Sequence, residues 1–149
     1  MKRRAALWAF IGAIAITFLQ PVYAAEEVRV TATVLAASNQ GHDFNLVNDD
    51  YRDELIKLFS YSSYNQLTAF AANLHRAERQ RLDISGGYEL ILTLQGVEKD
   101  RVLIQAIIRK ENRQYVDTVL SILKPGVVFL GGPPLPEGGE LIIVLETGF

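Results

Sequence analysis

Cysteine is absent from this 149-residue chain. Its absence excludes a disulfide framework, a thiolate metal site and a lipobox thiol to acylate. Histidine occurs only as His42 and His75, and neither H-E-x-x-H nor any zinc-ligand spacing is present. The single tryptophan is Trp8, so the rest of the chain has none for the aromatic girdle of a membrane barrel. There is no G-x-S-x-G elbow, no phosphate loop and no EF-hand spacing of oxygen ligands. Linker runs, low-complexity tracts and repeats of solenoid length are missing too. These gaps leave no catalytic constellation, so the chain reads as a non-enzyme with no cofactor and no bound metal.

What is present begins with a charged end. Lys2, Arg3 and Arg4 precede an uncharged, apolar stretch from Ala5 to Leu19, Pro21 breaks the helix, and Val22-Tyr23-Ala24 ends on a small residue. Those are the three parts of a secretory signal, with cleavage expected after Ala24. The apolar run is shorter than the ~20 residues that span a bilayer, so no stable membrane insertion is expected after cleavage. Residues 25–149 then form one domain, roughly 125 residues long and large enough to bury a core without staples. A periplasmic destination fits best, with an extracellular one as the alternative. The whole chain holds 15 basic and 17 acidic residues. Without Lys2, Arg3 and Arg4 the balance is 12 against 17, a net of −5, which argues against a nucleic-acid partner.

Hydrophobic spacing indicates an α+β fold, mainly antiparallel sheet, with one packed helix after the first strand. Val28, Val30, Ala32 and Val34 alternate with more polar residues over 28–36, the period of a half-buried strand. A turn follows at Ser38-Asn39-Gln40-Gly41. Tyr51, Leu55, Leu58 and Phe59 share one helical face, and Asp49 or Asp50 is placed to cap it. Residues 64–74 fit a strand, although their alanines leave a helix open. Further strands are expected over 80–84, 88–94, 101–110, 114–123, 127–130 and 141–145, with a loop at 96–100 and a type II turn at Lys124-Pro125-Gly126. Short strands joined by tight turns imply a sandwich or a half-open barrel.

Two surfaces stand out as candidate contacts. Arg76, Arg79 and Arg81 form the only basic concentration, and a strand would put Arg79 and Arg81 on one face, able to grip a carboxylate or phosphate. Their bland role is charge that discourages edge-to-edge pairing. Pro133, Pro134, Leu135 and Pro136 lie in a Gly/Pro-rich segment expected to be an exposed hairpin loop, and such loops often carry contacts. The oxygen-bearing residues Asp43, Asn45, Asn48, Asp49, Asp50 and Asp53 are better explained by helix capping than by a cation. Phe59, Tyr61 and Tyr64 are read as packing around the helix end.

Residues 118–132, T-V-L-S-I-L-K-P-G-V-V-F-L-G-G, followed by Leu141-Ile142-Ile143-Val144, resemble the β-segment of outer-membrane secretins. The resemblance spans about thirty residues and implies a small component of envelope machinery. The chain is far shorter than a secretin and has no repeated ring domains. Its end is also similar to that of outer-membrane barrels, with Phe149 after alternating Leu141, Ile143 and Leu145, although Thr147 stands where an aromatic is usual. The expected function is an exported periplasmic binding or assembly module with an envelope protein partner, serving secretion or pilus machinery. The alternatives are an envelope hydrolase using His42 and nearby carboxylates, and a small outer-membrane barrel.

Overall fold

The computed structural model describes residues 26–47 and 49–148. The expected signal segment, residues 1–24, lies outside the described residues, as do Ala25, Asn48 and Phe149. Nine strands follow in order: β1 (Glu27–Ser38), β2 (Phe44–Asn45), β3 (Ser63–His75), β4 (Arg79–Ile84), β5 (Tyr88–Glu98), β6 (Arg101–Lys110), β7 (Arg113–Leu123), β8 (Gly126–Pro134) and β9 (Glu140–Thr147). One helix, α1 (Arg52–Leu58), lies between β2 and β3 and is entered through a 3-10 turn at Asp49–Tyr51.

The strands form two separate sheets, ordered β2-β3-β1-β9-β8 and β4-β5-β6-β7. All pairings are antiparallel except the two-residue β2–β3 match of Phe44 with Tyr64 and Asn45 with Asn65. The architecture is therefore a mainly β sandwich with one short helix, as the hydrophobic pattern indicated. Among the described residues the strands form two sheets and do not close into a barrel.

Alternation along the strands explains the core. Val28, Val30, Ala32 and Val34 of β1 meet Leu90, Leu92 and Leu94 of β5, Val102, Ile104, Ala106 and Ile108 of β6, and Leu141, Ile143 and Leu145 of β9 between the sheets. Each fully buried aliphatic side chain contributes roughly 1.5–3 kcal/mol. A second cluster, Leu35, Ala37, Leu55, Tyr64, Ile142 and Val144, lies on the far side of the five-stranded sheet. β9 is buried on both faces, which is why Leu141–Leu145 is apolar at every position instead of at alternate ones.

The strand expected over 64–74 is present as β3, because pairing with β1 along its length outweighs the helix propensity of its alanines. Other expectations change. Leu58 is 57% exposed. The helix has only seven residues, so the ridge Tyr51–Leu55–Phe59 faces the sheet while Leu58 sits on an uncovered flank. Tyr51 is the N-cap and makes no side-chain cap bond, since the 3-10 turn holding Asp49 and Asp50 leads directly into the helix. β5 runs on to Glu98 through a bulge near Gln95, leaving only Lys99 and Asp100 as the turn where a longer loop was expected. At residues 124–126 Gly126 is not left-handed, so the turn is not type II. Gly126 is needed for a close approach: a Cβ there would stand 2.5 Å from the Leu123 carbonyl. That carbonyl also accepts the hydroxyl of buried Thr147.

Candidate functional site

The arginine cluster sits where the chain passes from one sheet to the other. Arg76 bridges to Leu94, and Ala77, with φ of 62°, donates its N–H to the Leu94 carbonyl at 3.0 Å. β4 follows as the edge of its sheet, with Arg79 and Arg81 exposed and Leu82 and Ile84 buried. The expected shared face is therefore present. Two of the three cations are already engaged. Arg76 pairs with Glu26 at 3.1 Å, and Arg81 lies 3.4 Å from Glu89. Glu89 also accepts from Arg109 Nε at 2.8 Å, and the Arg109 hydrogen bond, ahead of the charges of Arg109 and Arg81, holds its carboxyl below the usual range. Among the described residues Arg79 has no such partner. It lines an open depression of about 350 Å³ with Arg76, Ala77, Thr93, Leu94, Gln95 and Gln105. The Gln95 and Gln105 amides are hydrogen-bonded to each other at 3.2 Å, and Gln105 donates to Asp117 at 2.9 Å. The depression thus offers one free guanidinium, well short of an anion cradle.

Pro133–Pro136 does not form the exposed loop expected of it. β8 continues through Pro134, so the loop proper is only Leu135–Gly139, closed by Leu135 N–H to the Gly139 carbonyl at 3.0 Å. Pro133 is buried and Leu135 is 7% exposed, whereas Pro134 and Pro136 face solvent. The reason is that Gly131 and Gly132 let β8 stay paired with β9 through an irregular register. Leu135 then joins the inter-sheet core, and Tyr88 Oη donates to the Pro134 carbonyl at 2.9 Å. Tyr88 and Leu94 stand at opposite ends of the β5 core run, about 20 Å apart at ~3.3 Å per residue. The fold therefore keeps the proline segment and Arg76 at different ends of the sandwich.

His42 lies exposed in the bend between β1 and β2, beside exposed Asp43. Among the described residues no hydrogen bond joins its ring to a serine or carboxylate, and no group of three His, Asp or Glu side chains is placed to hold a metal. Ser62, a nearby hydroxyl, is spent on the Gly41 carbonyl at 2.8 Å. Asn45 is likewise committed, donating to Asn65 at 2.7 Å.

A third surface escaped the sequence reading. The segment 44–59 covers only part of the outer face of the five-stranded sheet. Tyr64 anchors it: fully buried, its hydroxyl lies 3.1 Å from the Leu55 carbonyl and 2.9 Å from that of Phe59. Phe44 packs on the Tyr64 ring at 5.4 Å, Tyr61 edge-on at 6.4 Å, and Tyr51 edge-on against Phe129 at 5.6 Å. Burial, more than any other influence, raises the Tyr64 phenol pKa, and it does the same for Tyr61. Where this cover ends, an apolar groove of about 200 Å³ opens. Thr31, Thr33, Leu35, Ala69 and Val144 form its floor, Leu46, Val47 and Tyr51 one wall, and Gln66 and Glu146 the polar rim. Val47 is 88% exposed, held by its N–H to Gln66 Oε1 at 3.2 Å, and Ile56, Leu58 and Val127 add exposed aliphatic surface on the same side. The only trace of this site in the sequence is β1, whose outward residues change from Thr31 and Thr33 to Leu35 and Ala37 partway along.

Comparison with protein-family models, with curated proteins and with solved structures finds no match for this chain.

Proposed function

We propose that this chain is an exported binding or assembly module of the cell envelope, and that its partner is another envelope protein anchored in the groove beside Val47. The carrying observation is the groove itself: apolar floor, exposed aliphatic wall and polar rim on an otherwise well-packed sandwich. Its volume of about 200 Å³ is below the roughly 300–1,000 Å³ of pockets that enclose small ligands. It matches a site that receives one apolar anchor residue, the usual energetic centre of a protein interface. Glu146 and Gln66 at the rim supply the polar border that such interfaces carry. The likeness of residues 118–132 and 141–144 to the secretin β-segment supports a place in secretion or pilus machinery.

A photo-crosslinking residue placed at Val47 in living cells tests this reading. It is expected to trap one discrete envelope protein, identified by mass spectrometry, whereas the same probe at exposed Glu111 traps none. Thr33→Arg, which fills the groove floor, is expected to lower the adduct yield by at least about tenfold, equivalent to ~1.4 kcal/mol. No adduct at Val47, or an adduct unaffected by Thr33→Arg, would sink the proposal.

A further inference from the structure

One strand edge in this sandwich is left open and, beyond a β-bulge at Leu67, undefended. β2 covers β3 only at Tyr64 and Asn65, and among the described residues no strand pairs with the remaining edge from Leu67 to His75. That edge carries no charged residue and no proline between Tyr64 and Leu74. Unpaired N–H and C=O groups in such a row are a template for another strand, and edges meant to stay single are usually blunted. The other edges of this molecule are blunted. β4 has Arg79, Arg81 and Asp83 within six residues, β8 ends in Pro133-Pro134, and β2 has two residues. β7 carries Asp117 and runs beside β8.

We infer that the open β3 edge pairs with the same edge of a second copy, joining two five-stranded sheets into one continuous sheet across a two-fold axis. Closed two-fold symmetry makes the pairing antiparallel and self-complementary. Opposed residues must point to the same face of the sheet, and the register that uses the regular run 68–74, beyond the bulge at Leu67, is centred on Ala71. It sets Phe70 against Ala72 on the core side, bulk against space. On the outer side it sets Ala69 against Asn73 and Ala71 against its own copy, all exposed in the single chain. No like charges oppose one another anywhere in this register, which would otherwise weaken the pairing.

The inference is independent of the groove partner and is tested on the purified, exported protein alone. Sedimentation is expected to show a dimer for the wild type. Ala71→Lys, which places two ammonium groups face to face on the axis, is expected to weaken dimerisation by at least about tenfold with the circular dichroism spectrum unchanged. Because the chain has no cysteine, Ala71→Cys gives a register-specific readout that does not depend on the lysine variant folding. Directly opposed residues have Cα atoms about 4.5–5.5 Å apart, within disulfide reach. Mild oxidation should therefore yield a covalent dimer for Ala71→Cys and not for Val119→Cys on the outer face of β7. A wild type that stays monomeric at millimolar concentration overturns the proposal, even if another polypeptide later protects this edge. So does an Ala71→Lys variant that dimerises like the wild type, or equal cross-linking at both cysteine positions.

Discussion

Tyr64→Phe isolates the bond that holds the helical cover on the sheet. The substitution keeps the buried ring, and with it the contacts to Phe44 and Tyr61. It removes only a hydroxyl whose single proton is shared between two carbonyls, Leu55 at 3.1 Å and Phe59 at 2.9 Å. The Leu55 carbonyl keeps a partner, because Phe59 N–H reaches it at 2.9 Å. The Phe59 carbonyl loses its donor. One net hydrogen bond plus part of the cost of stranding an acceptor comes to about 1–2 kcal/mol. For a domain of roughly 125 residues that lowers Tm by about 4–8 °C. Urea unfolding at pH 7 gives the magnitude, and hydrogen exchange gives the location. Protection should fall first in residues 52–59, since the inter-sheet core does not include Tyr64. Burial raises the Tyr64 pKa, so the stabilisation from its neutral hydroxyl is complete below about pH 10 and is lost as pH rises through the raised value. The gap between wild type and variant should accordingly narrow at high pH. A variant within ~0.3 kcal/mol of the wild type, or one whose exchange rises evenly across all strands, would refute the anchoring role.

Glu89→Gln tests the Arg81–Glu89–Arg109 network. The carboxyl pKa is lowered, chiefly by the Arg109 hydrogen bond. Its stabilisation is thus present above about pH 4.5 and lost as pH falls through the lowered pKa. Thermal melts at pH 7, 4 and 2.5 should show a wild-type advantage that disappears with acid, and a constant gap would contradict the assignment. Leu135→Ala opens the end of the core and should cost about 2–3 kcal/mol in urea unfolding, whereas Pro136→Ala at the exposed tip should stay within ~0.5 kcal/mol. Equal effects would mean that Leu135 does not plug the sandwich.

Much of the β framework was legible because alternation reports burial residue by residue. Val28–Val34, Leu90–Leu94 and Val102–Ile108 each declare an inward face with no knowledge of their neighbours, and all three lie in the core. Local signals were ambiguous or failed where a distant partner decided the outcome. Ala69, Ala71 and Ala72 left a helix open beside the strand reading, and β1 settles it by supplying the strand hydrogen bonds. Pro133-Pro134-Leu135-Pro136 has the chemistry of a loop, but β9 holds its first half in register and the space beneath Tyr88 takes Leu135. The face shared by Arg79 and Arg81 was readable, because two residues apart on a strand means the same side. That Glu26 and Glu89 neutralise Arg76 and Arg81 was not, because both acids arrive from other strands or from beyond β1.

The sequence by itself determined the strand-rich class, the place of the helix and the inward faces of β1, β5 and β6, since these depend on spacing within a few residues. Its reading of export comes from the first 24 residues, and that of an envelope partner from the export signal, the arginine cluster, the Pro/Gly segment and the secretin-like fragment; both stand as expectations for experiment. Only the tertiary structure decided that the strands split into two sheets, that residues 44–47 and 49–59 cover part of one outer face, and that β3 keeps an open edge. Those features depend on which elements lie side by side. A groove or a free edge is a property of what is missing beside a residue, and no residue encodes its own missing neighbour.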